Sequence, residues 1–148
     1  MAESPTTQAT SIDQTHREFQ AAFNRRDWDV AMRTLAPDTT YTDHARRETM
    51  RGPDEIVTYF QSFIDGFSDA HVDDATYHHV GDVSISQFIG KGTQDGALGP
   101  FSPSGRWAET PYCEILRFDD QGRVVTGELY YDLFSMLVGL CHLPSPEG

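Results

Sequence analysis

The sequence predicts an α+β protein in which a strongly curved antiparallel sheet wraps around N-terminal helices. Three features of the chain support this prediction. Apolar residues recur at helical spacing over residues 12–36, a further helix begins near Gly52, and residues 71–132 alternate between strand-forming segments and turns. Helices followed by hairpins are typical of an α+β layer fold. We expect a ligand to bind at the mouth of such a cone.

The length and charge of the chain limit the classes of partner. A chain of 148 residues is most simply one domain, which we place at residues 11–143, with a disordered tail at 1–10 and a short tail at 144–148. The net charge of −12 argues against a nucleic acid or an anionic membrane as the partner. No apolar signal segment precedes Ser11, which predicts a cytoplasmic protein.

The first part of the chain carries the signals of two helices. Ser11 and Gln14 form a capping-box pattern, which predicts the start of the first helix. Its apolar residues then recur at helical spacing: Ile12, Phe19, Ala22 and Phe23. Asp27 can cap a second helix over residues 28–36, and Pro37 ends it.

The next segment predicts a strand, a loop and a third helix. β-Branched and aromatic residues at 39–43 favour a short strand that ends at His44. Residues 45–51 are polar and basic, which indicates a loop. Gly52-Pro53-Asp54-Glu55 starts a helix, because proline suits the first helical position and carboxylates oppose the helix dipole.

The second half of the chain predicts a run of strands at about 71–79, 83–94, 107–118 and 123–132. Between the second and third of these strands, residues 96–105 form a long loop rich in glycine and proline, which we expect to serve as a lid or a pocket rim. Residues 133–140 predict a short closing helix.

Asp132 is the strongest candidate for proton transfer. It ends the last predicted strand, and strand periodicity places it on one face with Glu128 and Tyr130, which we expect to be the inner face. Burial beside phenol rings raises the pKa of a carboxyl group. The alternative is an ordinary aspartate that caps the helix after the strand.

The residues also resemble a known family, the SnoaL-like polyketide (ester) cyclases, within the superfamily of nuclear-transport-factor-like cone folds. The matching motifs run in the family's order from about residue 12 to 143: residues 23–29, 41–44, 52–60, 67–69, 92–94, 103–106, 118–124 and 128–132. The resemblance implies a cone-shaped α+β barrel with an apolar pocket, no cofactor, and a homodimer formed through the outer sheet face. Asp132 matches the family's acid/base aspartate, and the family's strand-end pair carries over to Asp43 and His44.

The resemblance suggests an aldol-type ring closure, in which one carboxylate removes a proton next to a carbonyl group and then protonates the new alkoxide. His44 is the second candidate catalytic residue, either as a hydrogen-bond donor to the substrate carbonyl or as a group that orients a water. The alternative is a loop histidine that is hydrogen-bonded to the backbone. The candidate substrate contacts are polar-tipped aromatic and polar residues: Tyr41, His71, Gln94, Trp107, Tyr112 and Tyr130. No metal site is expected, because His78 and His79 point to opposite faces of a strand.

Three functions stay open at this point. The first is a small cyclase or isomerase acting on an apolar polyketide-like carbonyl compound, and a hydrolase or hydratase could use the same carboxylate. The second is a catalytically silent, dimeric small-molecule binding protein of the same fold. The third is an accessory domain with a filled core.

Overall fold

The computed structural model describes residues 5–147, with side chains from Ser11 onward. The elements follow one another as α1 (Pro5–Arg25), α2 (Trp28–Arg33), β1 (Leu35–Asp43), β2 (Glu48–Arg51), α3 (Gly52–Gly66), β3 (His71–Val80), β4 (Val83–Thr93), β5 (Trp107–Phe118), β6 (Val124–Tyr131) and α4 (Leu133–Gly139). The strands form one curved, unclosed sheet in the order β2-β1-β6-β5-β4-β3. The predicted α+β class is therefore confirmed.

One strand pair departs from the predicted antiparallel sheet. β1 runs parallel to β6, with Tyr41 opposite Gly127, whereas every other neighbouring pair is antiparallel. The parallel pair is possible because the chain between β1 and β6 contains a helix and four strands, ample length for a crossover. This pairing places the last strand beside the first long one.

The first helix begins earlier than the capping-box pattern indicated. α1 starts at Pro5, so residues 5–10 belong to the helix rather than to the predicted disordered tail, and residues 1–4 lie outside the described part of the chain. Ser11 lies inside the helix, where its carbonyl accepts a hydrogen bond from Thr15 Oγ1 at 2.9 Å. A polar helix entrance and a tail have similar composition, which explains the error.

Two other boundaries also differ from the sequence-based expectation. α2 ends at Arg33, because Leu35 instead pairs with Val124 of β6 and starts β1. Pro37 lies within β1, where a register shift between Leu35 and Thr40 accommodates a residue that has no N–H to donate. The segment expected to be a loop, residues 45–51, contains the short edge strand β2.

The helices and the inner sheet face enclose a largely apolar interior. α1 and α3 bring a buried stripe against the sheet, which includes Ile12, Phe19, Ile56 and Phe60. A second apolar cluster lies where α4 covers the end of the sheet. Between the helices and the strands remains a cavity of about 90 Å³.

The long loop does not form a rim or lid of this cavity, contrary to the expectation. The buried Gln94 donates to the carbonyl oxygen of Ser102 at 3.1 Å and accepts from the backbone N–H of Ser104 at 3.2 Å. Leu98 inserts into the cluster beneath α4. The loop is thus fastened to the closing helix, and its residues do not contribute to the cavity wall.

Within residues 5–147, no helix is long and apolar enough to cross a membrane. In the same part of the chain, no three histidine, cysteine, aspartate or glutamate side chains are placed to hold a metal ion. The cytoplasmic location stays a prediction.

Candidate active site

A buried carboxylate lies on the cavity wall, that of Glu114 on the inner face of β5. Strand alternation directs Glu114 inward together with Thr110, Tyr112 and Leu116. The Glu114 residue is 3% exposed, and its neighbours along the cavity wall are mostly aromatic and aliphatic. A carboxylate in such surroundings must be hydrogen-bonded to be tolerated.

Three side chains supply those hydrogen bonds. His16 Nε2 lies 2.9 Å from Glu114 Oε1, and Gln20 Nε2 donates to the same oxygen at 3.1 Å. Both come from α1, where a spacing of four residues puts them on one face. The hydroxyl of Tyr41, on β1, donates to Glu114 Oε2. Within the described part of the chain, Oε1 therefore has two donors, whereas Oε2 has one.

These partners keep Glu114 ionised. Burial, the largest single influence, raises the pKa of Glu114, but the hydrogen bond and charge of His16 and the hydrogen bonds from Tyr41 and Gln20 together outweigh it. The net result is a pKa below the usual value of 4.5. Burial and the neighbouring carboxylate raise the pKa of Tyr41 well above its usual value, so its phenol keeps its proton.

A further layer of hydrogen bonds lies behind the donors. The second ring nitrogen of His16, Nδ1, lies 2.6 Å from the hydroxyl of Ser84 on β4. Gln20 donates to Ser86 Oγ at 3.1 Å and accepts from the hydroxyl of Tyr77 at 2.6 Å. His16, Ser84 and Ser86 are fully buried. The carboxylate is thus the inner end of a polar network that spans α1 and the sheet.

A glycine makes room for the Tyr41 ring. Gly127 lies opposite Tyr41 on β6, and a Cβ atom built there would lie 2.3 Å from Tyr41 Cδ2. No larger residue fits without displacing the ring. Gly127 therefore determines whether the Tyr41 hydroxyl reaches Glu114.

A second buried carboxylate, Asp43, lies at the end of β1. Its Oδ2 accepts hydrogen bonds from the hydroxyls of Tyr59 at 2.6 Å and Tyr131 at 2.8 Å, and its Oδ1 accepts from the backbone N–H of Arg46 at 2.9 Å. Burial and the charge of Asp43 raise the pKa of both phenols. Asp43 is absent from the cavity wall, so this cluster joins β1, α3 and β6 rather than forming the floor of the cavity.

The structure contradicts the predicted burial of Asp132. Its side chain is exposed and caps α4, with Oδ1 accepting from the backbone N–H of Ser135 at 2.9 Å and Oδ2 from its hydroxyl at 2.6 Å. These hydrogen bonds lower the pKa of Asp132 rather than raising it. The alternation along β6 was predicted correctly, but the inner face carries Leu129 and Tyr131, so Asp132 lies on the outer one.

His44 and Tyr130 lie outside the cavity as well. Their rings stack at 4.3 Å on the outer side, and His44 Nε2 is 3.3 Å from Glu128 Oε1. Tyr130 is 41% exposed. His44 therefore does not face the cavity in which it was expected to contact a carbonyl group.

Of the six predicted substrate contacts, the structure brings Tyr41, His71 and Tyr112 to the cavity wall. The Tyr112 ring stacks on Phe88 with centroids 5.2 Å apart. Gln94 instead fastens the long loop, as described above. Trp107 is 49% exposed, and its indole N–H donates to Glu109 at 3.0 Å.

Sequence reasoning missed His16, Gln20 and Glu114. A signal for each is present in the chain. His16 and Gln20 lie within the apolar stripe that begins at Ile12, and Glu114 alternates with Leu116 and Phe118 along a predicted strand. Polar residues at positions where the period requires apolar ones are candidates for a buried site.

This arrangement provides a base in an apolar chamber. Among the described residues Oε2 of Glu114 has one donor, which leaves a lone pair free, and Thr110 and Tyr112 line the same wall. The cavity of about 90 Å³ is smaller than the about 300–1,000 Å³ of pockets that hold drug-sized ligands. It suits a ligand of one ring, or one end of a larger ligand.

Comparison with solved structures shows the same fold in several proteins. A suggested SnoaL-like polyketide cyclase from Jannaschia sp. CCS1 has a TM-score of 0.80 at 20% identity, with 97% of this chain and 99% of that chain covered. IdmH of Streptomyces antibioticus, a suggested polyketide cyclase, has a TM-score of 0.77 at 21% identity, with 88% and 98% covered. A protein of ketosteroid isomerase-like fold from Catenulispora acidiphila DSM 44928, in complex with trimethylamine, has a TM-score of 0.74 at 22% identity, with 86% and 92% covered.

These identities are low, so the likenesses establish the fold, the nuclear-transport-factor-like cone, and not the activity. Curated protein sequences give no match. The family model of the SnoaL-like domain matches residues 16–126, from His16 on α1 to the first residues of β6. Since this match covers well over half of the chain, the protein belongs to the SnoaL-like domain family.

Proposed function

We propose that the protein is a small, cofactor-independent enzyme that performs acid/base chemistry on an apolar carbonyl compound, with Glu114 as the base. The observation that carries this proposal is the buried Glu114 carboxylate on the wall of an apolar cavity, whose Oε2 accepts a hydrogen bond only from Tyr41 among the described residues. Glu114 replaces Asp132 in this role, because the Asp132 carboxyl lies in solvent.

The chemistry begins with the transfer of a proton from the carbon next to the carbonyl group to Glu114 Oε2. The electron pair of that C–H bond moves into an enolate, whose oxygen needs a hydrogen-bond donor. The side chain of Thr110, which lines the cavity on the same strand face as Glu114, is a suitable donor. The neutral Glu114 carboxyl then returns the proton, either to a new alkoxide after ring closure or to a carbon after isomerisation.

The cavity favours this chemistry through positioning and exclusion of water. A carboxylate with a low pKa is a weak base in water, but a bound substrate reacts with it at a high effective concentration. Ketosteroid isomerase performs related enolate chemistry with an aspartate base. The cavity volume favours a single-ring ketone or the terminal ring of a larger polyketide-like molecule.

Exchange of the α-protons of cyclohexanone in D2O, followed by proton NMR, tests the proposal without knowledge of the natural substrate. We expect the protein to accelerate exchange above the buffer rate, and Glu114→Gln to reduce this acceleration by about 10²–10⁴-fold. Asp132→Asn is the matched control, because it changes a carboxylate outside the cavity, and we expect it to exchange at the original rate.

Two results would contradict the proposed role of Glu114. One is exchange by folded Glu114→Gln at the original rate, and the other is loss of exchange in Asp132→Asn. Cyclohexanone that binds but does not exchange would instead support the silent binding protein. Circular dichroism of each variant checks that it is folded.

We also propose that the protein is a homodimer formed through the outer face of the sheet. This face carries partly exposed apolar side chains on adjoining strands, with Ile85 and Ile89 on β4, Ile115 on β5 and Tyr130 on β6. Light scattering after gel filtration tests the proposal: we expect twice the 16.6 kDa chain mass, and the mass of one chain for Ile115→Lys. A monomeric unaltered protein would reject it.

A further inference from the structure

The buried contacts of His16 with Ser84 and Glu114 resemble a hydrolytic triad, but here the carboxylate rather than the serine reaches the cavity. Ser84 Oγ is 2.6 Å from His16 Nδ1, and His16 Nε2 is 2.9 Å from Glu114 Oε1. A serine nucleophile would need access to a ligand, yet Ser84 is fully buried and is not part of the cavity wall. Glu114 is the member that reaches the cavity. The reacting group of this set is therefore the carboxylate.

We propose that Ser84 and His16 are positioning residues, which hold Glu114 as an ionised base and direct its Oε2 toward the ligand. The inference rests on the proposed function and extends it to two residues that do not touch the ligand.

The hydrogen-bond inventory determines how this works. Because Glu114 Oε1 accepts a hydrogen bond, His16 must carry its proton on Nε2. With Gln20 as the second donor, both lone pairs of Oε1 are occupied. Counting the residues that the structure describes, Oε2 has Tyr41 as its single donor and retains a lone pair for a substrate proton. His16 thus decides which oxygen reacts.

Ser84 supports this arrangement in either charge state of His16. A hydroxyl group can rotate, so it donates to a bare Nδ1 and accepts from a protonated one. The ring keeps a partner in both cases and keeps Nε2–H directed at Glu114. Alanine at this position would leave a fully buried ring nitrogen without its partner.

The other titratable or charged groups near the pair come from three elements. The ring of Tyr77 meets that of His16 edge-on at 5.2 Å, and the guanidinium of Arg17 lies over Tyr77. The remaining groups are Tyr41 on β1, Asp13 on α1 and His79 on β3, the last two 3.6 Å apart. None of these groups takes the place of His16 between Glu114 and Ser84.

The titration of the Glu114 carboxyl, measured by carbon-13 NMR, tests the inference without any substrate. Loss of one hydrogen bond to a charged group corresponds to about one to two pH units, so we expect His16→Leu to raise the pKa of Glu114 by that amount. Ser84→Ala should raise the pKa by a smaller but measurable amount. The control is Thr39→Val, which removes a buried hydroxyl that has no hydrogen-bond partner among the described residues and should leave the titration within about 0.2 units.

The exchange of cyclohexanone α-protons gives a second readout. We expect Ser84→Ala to lower the exchange rate about tenfold and to shift its pH profile in the direction of the Glu114 titration, with Thr39→Val unaffected. If Ser84→Ala folds but leaves both the titration and the exchange unchanged, Ser84 only fills space and the inference is wrong. If the titration shifts as expected while the unaltered protein exchanges nothing, the proposed function fails and the positioning role stands.

Discussion

Replacing Gly127 with alanine should disrupt the site from a position that touches no ligand. The new Cβ atom would lie 2.3 Å from Tyr41 Cδ2, 2.8 Å from Tyr41 Cε2 and 3.1 Å from Leu116 Cδ2, whereas ordinary contacts begin near 3.4 Å. The Tyr41 ring must therefore move by about 1 Å. It is held between Tyr59, with ring centroids 5.8 Å apart, and Phe60, at 5.2 Å, so the movement displaces its neighbours or breaks its bond to Glu114.

The expected magnitude follows from three contributions. Overpacking of a core costs about 1–3 kcal/mol. Loss of the hydrogen bond from Tyr41 to the Glu114 carboxylate costs about 1.5–3 kcal/mol. The lower chain entropy of alanine in the unfolded state returns about 0.5–1 kcal/mol. We expect Gly127→Ala to lower the free energy of unfolding by about 2–5 kcal/mol, and Tm by about 4–20 °C.

Urea and thermal unfolding followed by circular dichroism measure this effect. Gly139→Ala is the control, because no atom lies within 4 Å of the Cβ position there and the residue ends α4. We expect Gly139→Ala to leave stability unchanged or slightly higher. In a double-mutant cycle, Tyr41→Ala should absorb most of the cost of Gly127→Ala. A free energy of unfolding for Gly127→Ala within about 0.5 kcal/mol of the unaltered protein would refute the reasoning.

Three other outcomes follow from the structure. The pKa of Glu114 in the folded protein lies below the unfolded value of 4.5. Its contribution to stability is therefore complete above about pH 4.5 and is lost as the pH falls through the folded pKa. Urea titrations at several pH values should show that Glu114→Gln lacks this loss. Asp132→Ala should fray α4 in hydrogen exchange, whereas Asp132→Ser, which keeps a capping oxygen, should not, and both should retain cyclohexanone exchange. Gln94→Leu should lower the free energy of unfolding by about 1–3 kcal/mol, because it leaves the backbone groups of Ser102 and Ser104 without their hydrogen bonds to Gln94. The same substitution should speed proteolysis of the loop without changing ligand binding.

Local chemistry was sufficient to predict most of the elements. The predicted strand over residues 107–118 matches β5, and Asp27 caps α2 as expected, with its carboxylate accepting from the backbone N–H of Val30. Such signals depend on neighbours along the chain, namely alternation, helical spacing and capping groups. The helix–strand order and the motif spacing also indicated the cone fold and the family, both of which are confirmed.

The location of the site was decided by tertiary structure. The period of β6 identifies two faces but cannot say which one is inside, and that choice put Asp132 in solvent and Tyr131 within the protein. Ser84 lies 68 residues and Glu114 lies 98 residues from His16 along the chain. Only the wrapping of the sheet around α1 brings the three residues together. The sequence by itself determined the elements and the family, because those depend on local periodicity, whereas the burial and hydrogen-bond partners of a carboxylate depend on contacts between distant segments.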